Sequence, residues 1–280
     1  ANLASAPTMV VFDAGNHVLK TLHFDQPTAW LATELKADDN LWDRQWAIRQ
    51  LGMRPADSAA EAALADAAVH ADYYLTRVDA VRALGGFGTA AVPAVAAALA
   101  DTSASVRAAA LAALGRLGGA QAAALARGAW SNDSSYEVRA AAVTALVQLD
   151  TAGARDVLAV ALVAPSYQDA IRNAALQAIA VRNDTSFTAA VDGLVGPSRD
   201  AVYVLAALGA RGSAHALDLL AARLDDARRT VRGWALQAFQ YALPKAVALA
   251  RLRAAVDGLT HADAKAAVQD AIRELERRPE

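Results

Sequence analysis

The 280-residue chain contains no cysteine. A disulfide framework, a cysteine-ligated zinc site and a thiol nucleophile are therefore excluded. It holds no charge-free apolar run of about 18 residues or more, so no membrane span is expected. No signal-peptide pattern opens it. Charge of one sign is also missing: the formal net charge is −2 and the pI about 6.2. That balance argues against nucleic acid as the main partner, which wants a strongly basic surface. Aromatic residues make up only 6%.

What is abundant is alanine, about a quarter of the chain, well above ordinary usage. Alanine favours helix and close helix packing. The stretch Val106 to Gly115, VRAAALAALG, sets a ruler: Arg107, small residues at +3 and +6 (Ala110, Ala113), an apolar residue at +7 (Leu114) and Gly115 at +8. Residues three or four apart share one helix face. The glycine is expected to supply a left-handed cap that stops the helix. The ruler fits again from Arg44, Arg77, Arg139, Arg172, Ala201 (in the basic slot), Arg232 and Lys265, at spacings of 29 to 33 residues. Between the copies lie partner segments of helical periodicity: 59–69, 90–99, 154–163, 214–224 and 246–256. Each unit is helix–turn–helix and buries its apolar face only against the next unit.

The tetratricopeptide and ankyrin signatures are absent. Asp-x5-Arg recurs instead in Asp101/Arg107, Asp133/Arg139 and Asp226/Arg232, which with the ruler resembles a short HEAT-type repeat. The Asp is placed in the turn before the second helix, capping free N–H groups, and stacked repeats make a ladder of such pairs. This orders turns and supplies no reaction.

Residues before the first repeat follow another period. Thr8 to Asp13 is apolar and β-branched, Ala14-Gly15-Asn16 is turn-like, and His17 to Phe24 alternates, with Val18, Leu22 and Phe24 mainly on one side. The pattern predicts a β-hairpin. A hairpin is marginal alone, so it packs on the helices or belongs to a sheet outside this chain. The first residue is Ala1, which suggests a removed initiator or a piece of something longer.

The run Val11-Phe12-Asp13-Ala14-Gly15-Asn16-His17-Val18-Leu19-Lys20 resembles the junction before the helical domain of gluzincin zinc aminopeptidases, the alanyl and puromycin-sensitive type, with Ala14 in their proline slot. Leu41 to Gly52 and Ser134 to Ala142 resemble the helical repeats of bacterial members. The resemblance implies a right-handed solenoid and a non-catalytic C-terminal domain that shapes the substrate chamber. It implies zinc only in an upstream catalytic domain, and that domain and a β-sandwich as partners. No catalytic residue carries over: none of His17, His23, His70, His215 and His261 has a histidine four residues away, as His-Glu-x-x-His requires. Gly-x-Met-Glu-Asn is also absent.

Aromatic residues recur just before the second helices: Trp42, Tyr73, Tyr74, Tyr136 and Tyr167. They either pack between repeats or form a rim of anchors for a peptide or another domain. The group Arg228, Arg229, Arg232 and the pair Arg251/Arg253 sit among Asp225, Asp226 and Asp257 and read as a mixed solvated face. Residues 273–278 form a polar end helix. The expected architecture is an all-α, HEAT-like α-solenoid of about eight helix pairs (26–280) after a short N-terminal β-hairpin (1–25). Beside the aminopeptidase reading stands a free-standing scaffold for a peptide or protein partner, with no metal or catalytic residue in this chain, no nucleic acid and no membrane.

Overall fold

The computed structural model describes residues 6–149 and 153–279. Sixteen α-helices are found among them, and no strand. They alternate as the ruler requires: α1 (Thr28–Ala37), α2 (Leu41–Gly52), α3 (Ser58–His70), α4 (Tyr74–Leu84), α5 (Val92–Ala97), α6 (Ala104–Leu117), α7 (Ala120–Asn132), α8 (Tyr136–Leu149), α9 (Ala154–Val163), α10 (Ala170–Arg182), α11 (Thr188–Gly193), α12 (Arg199–Ala210), α13 (Ala214–Ala222), α14 (Arg229–Tyr241), α15 (Lys245–Ala255) and α16 (Ala262–Arg277). Every ruler copy falls on an even-numbered helix. The chain forms two compact units, up to Ala174 and from Ala175.

In the first unit α1, α3, α5 and α7 each pack on the even helix that follows, α2, α4, α6 and α8 pack in sequence, and so do α1, α3, α5 and α7. The +3 alanines Ala47, Ala80, Ala110 and Ala142 and the +7 leucines Leu51, Leu84, Leu114 and Leu146 are buried in one continuous cluster. Small side chains there bring neighbouring backbones close, and each leucine fills the space left over. In the second unit α12, α14 and α16 pack in sequence, as do α11, α13 and α15. Its ruler positions Ala235, Ala238, Phe239, Val268 and Ala271 are likewise buried.

The +8 glycines depart from expectation. Gly115 lies inside α6 and Gly209 inside α12, and Gly85 has φ −60°. None is a left-handed stop. α6 ends at Gly118, φ 79°, whose N–H reaches Leu114 O at 3.0 Å. The +8 glycines serve close approach instead. A Cβ on Gly115 would sit 3.4 Å from the Ala145 Cα of α8, and one on Gly52 would sit 3.2 Å from the Ala83 Cβ of α4.

The ladder exists, with a pairing that joins repeats. Arg107 Nη1 donates to Asp101 O (2.9 Å) and Thr102 O (3.2 Å) in its own turn. Its Nε and Nη2 donate to both oxygens of Asp133 in the next turn, at 2.8 and 3.0 Å. Arg77 does the same with Ala71 O, Asp72 O and the carboxylate of Asp101. Arg44 reaches Asp72, and Arg232 reaches Asp226 O and Asp263. Each Asp is also pinned locally: Asp101 accepts from Ser103 N–H (2.7 Å) and Asp133 from Ser135 N–H (2.8 Å). Hence Asp101 pairs with Arg77 of the preceding repeat, and Arg107 takes only its carbonyl. Arg139 departs from this pattern, with its guanidinium over the Trp130 ring at 4.9 Å.

The expected β-hairpin is absent from the described part of 1–25; residues 1–5 lie outside the described residues. From Lys20 to Gln26 the chain alternates half-buried or buried and exposed positions, so the period of two is present. That face packs on helices and pairs with no strand. The turn is held by Asp13, whose carboxylate accepts from His17 N–H (3.2 Å), Val18 N–H (2.9 Å) and Lys20. Asp13, Gly15 and Asn16 all adopt positive φ, which breaks strand geometry. Val18 and Leu19 are exposed, so the cross-strand face is missing.

The two middle ladder pairs, Arg77–Asp101 and Arg107–Asp133, are shielded, with side-chain exposures of 16% and 14% for Arg107 and Asp133, whereas Asp72 and Asp263 are open to solvent. The pair Arg253–Glu276 is open to solvent. A double-mutant cycle on Arg107→Ala and Asp133→Ala, read by urea unfolding, should give a coupling of about 1–3 kcal/mol. The same cycle on Arg253 and Glu276 should give below about 1 kcal/mol. Equal couplings would remove the ladder from the stability of the repeats.

Candidate functional site

A cluster of exposed apolar side chains in the first unit surrounds a groove between α2 and α4. Leu41, Trp42, Tyr73, Tyr74 and Leu75 are all exposed there, Trp42 to 57%. Single exposed apolar residues are ordinary, and a contiguous patch is not. Local chemistry places them. Asn40 caps α2 by accepting from Trp42 N–H at 2.9 Å. Asp72, gripped by Arg44, accepts from Tyr73 N–H at 2.8 Å. The ladder thus holds the backbone that carries the ring. Tyr73 and Tyr74 meet edge to face, with centroids 5.3 Å apart.

The groove holds about 480 Å³ and is lined by Leu41, Trp42, Gln45, Ile48, Tyr73, Leu75, Thr76, Asp79 and Arg82. Ile48 and Thr76 are its buried floor. Gln45 Nε2 donates to Asp79 across it at 3.1 Å. It continues into a second hollow of about 380 Å³ that shares Gln45, Ile48, Asp79 and Arg82 and adds Arg49, Gly52 and Ala83.

Of the five aromatic residues singled out in the sequence, Trp42 and Tyr73 line this groove and Tyr74 meets Tyr73 edge to face. Tyr136 begins α8 and is 43% exposed. Tyr167 sits in a turn with Gln168 and Asp169 at positive φ and is 73% exposed. Neither lines the groove. Leu41, Leu75, Arg49 and Arg82 were not singled out. For the two arginines the signal was there: each follows a ladder arginine by five positions.

Behind the groove the N-terminal segment covers a small cavity of about 180 Å³ lined by Phe12, Phe24, Gln26, Glu34, Asp43 and Trp46, among others. Gln26 is its hub. Its Nε2 donates to Glu34 (2.8 Å) and Val10 O (3.0 Å), and its Oε1 accepts from Trp46 Nε1 (2.8 Å). Burial pushes the Glu34 carboxyl up to about 7, against the Gln26 hydrogen bond, with Asp43 and Asp38 adding repulsion. Burial also raises Asp43, against the N–H of Gly15 that it accepts at 3.1 Å. Among the described residues no group of three or more His, Asp or Glu side chains is placed to hold a metal ion. Among the same residues no helix is long and apolar enough to cross a membrane.

Residues 92–180 match the family of HEAT repeats. The fold is a HEAT-like solenoid. The Escherichia coli protein YibA is similar at 16% identity, over 93% of this chain and 100% of that one, with a TM-score of 0.50. The complex of CpcE and CpcF of phycocyanin lyase from Nostoc sp. PCC7120 matches at 20% identity over 93% and 98%, TM-score 0.49. Human deoxyhypusine hydroxylase matches at 23% identity over 90% and 96%, TM-score 0.43. No curated protein matches the chain.

The raised Glu34 sets a pH dependence. Between its ordinary value of 4.5 and about 7, the folded chain binds a proton that the unfolded chain has lost. Stability from this group is full below that window and falls as pH rises through it. Glu34→Gln should flatten the slope of melting temperature between about pH 5 and pH 8 and raise the value at the alkaline end. An unchanged slope would mean that Glu34 is ionised and solvated.

Proposed function

We propose that this chain is a protein-binding scaffold whose α2–α4 groove takes a peptide or protein segment. The supporting observation is the patch of Leu41, Trp42, Tyr73, Tyr74 and Leu75 around one open groove. Aromatic anchors beside a hollow are the surface that dominates binding energy at protein interfaces. Repeat stacks build such surfaces from neighbouring units, and here both walls come from consecutive ruler helices.

The run from Val11 to Lys20 supports a second reading, a helical domain beside an upstream zinc aminopeptidase centre. None of the three similar proteins named above is a zinc aminopeptidase. An upstream reading frame with His-Glu-x-x-His would favour it.

Selection from a random peptide display library against the full chain should return binders that weaken roughly ten-fold or more in Trp42→Ala and Tyr73→Ala variants of unchanged melting temperature. Binders indifferent to both substitutions would contradict the scaffold reading of this groove.

A further inference from the structure

The groove is charged at one end, and the charge is positive. Arg49 is exposed and makes no hydrogen bond or ion pair among the described residues. Arg82 faces it across the second hollow; its side chain is 64% exposed and its carboxylate contact is Asp79 at 3.4 Å. Arg116 of α6 is exposed and donates to Arg82 O at 3.0 Å, beyond the residues that line the two hollows. Asp79 is the acid lining the second hollow, and Gln45 and Arg82 already occupy its two oxygens; on its other side Arg49 borders the cavity that holds Asp13, Glu34 and Asp43. The acids at the other end differ: Asp72 is taken by Arg44 beside the aromatic patch. An apolar hollow therefore opens onto Arg49, which has no carboxylate partner among the described residues, and Arg82, whose partner is Asp79 at 3.4 Å.

We propose that the α2–α4 groove binds an acidic peptide segment with one large apolar side chain. The apolar group fills the Trp42–Tyr73 hollow, and the carboxylates meet Arg49 and Arg82. This rests on the scaffold reading above and adds the chemistry of the partner. The spacing is set by α2. Trp42 and Arg49 are seven residues apart, about 10 Å along a helix, which about three extended residues span. The anchor and the first carboxylate are thus about three positions apart. Guanidinium groups suit carboxylates because their donors match both oxygens. The charges also set direction, since only one end of the groove attracts acid.

The test uses the full chain and three fluorescein-labelled peptides. One carries a leucine with glutamates about three positions on either side. In the second lysines replace the glutamates, and in the third serine replaces the leucine. The acidic anchored peptide should bind, with the other two roughly ten-fold or more weaker. Trp42→Ala should weaken the acidic peptide to a similar degree. Arg49→Glu/Arg82→Glu, both on the surface and checked by circular dichroism, should reverse the preference between glutamate and lysine.

A lysine peptide that binds as well or better, in a Trp42-dependent way, would overturn the acidic partner and leave the scaffold standing. Binding untouched by Trp42→Ala, or no binding of any peptide, would count against both. Tighter Trp42-independent binding of a single-stranded oligonucleotide would assign the arginine row to nucleic acid. Self-association lost in Arg49→Glu/Arg82→Glu would assign it to a second copy. Either result overturns the proposal.

Discussion

One guanidinium holding two turns at once is the contact on which the repeats depend. Arg77 and Arg107 each tie the carbonyls of their own turn to the carboxylate of the next. A helix pair of this size is marginal alone. Alanine seams give area but little direction, because small side chains slide past one another more readily than interlocking ones. The bidentate bond supplies the direction. It sets the offset between units, and the aspartate passes the constraint to the next helix start through Ser103 and Ser135. The hydrogen bonds from the arginines hold Asp101 and Asp133 below the ordinary carboxylate range. That contribution is present above the unfolded value and fades as pH falls through the folded one.

The groove follows from the same contact. Arg44 fixes Asp72, Asp72 fixes the amide of Tyr73, and Tyr73 forms the wall opposite Trp42. The proposed binding surface is built on a backbone that the ladder has already ordered. The N-terminal segment does comparable service on the other side of α2, where Gln26 ties it to Glu34 and Trp46. It covers the apolar face of the first pair, which has no earlier repeat packed on it among the described residues, at the cost of a buried carboxyl.

Much of this was legible in the sequence, and the departures have physical causes. Arg, Ala, Ala and Leu at fixed offsets identified the even helices because each residue type has one dominant use there. Glycine has two. The missing Cβ permits positive φ, as at Gly118, and close approach, as at Gly115. Sequence position alone does not separate them. Alternation from Lys20 to Gln26 reported an extended chain with one covered face; pairing with a second strand is a separate property. The aromatic offset marked the starts of even helices, but a groove needs two neighbouring walls, and Tyr136 and Tyr167 lie outside the one between α2 and α4. Glu34 carries no periodic mark, since its burial comes from a segment that is not part of the repeat.

Amide hydrogen exchange on the intact chain tests the ladder most directly. The N–H groups of Ser103 and Ser135, which lie in turns and donate to Asp101 and Asp133, should exchange as slowly as amides in the middle of α6 and α8. Exchange at the rate of an open loop, with α6 and α8 still protected, would show that the turns are not held by the arginine–aspartate contacts, and the account would fail.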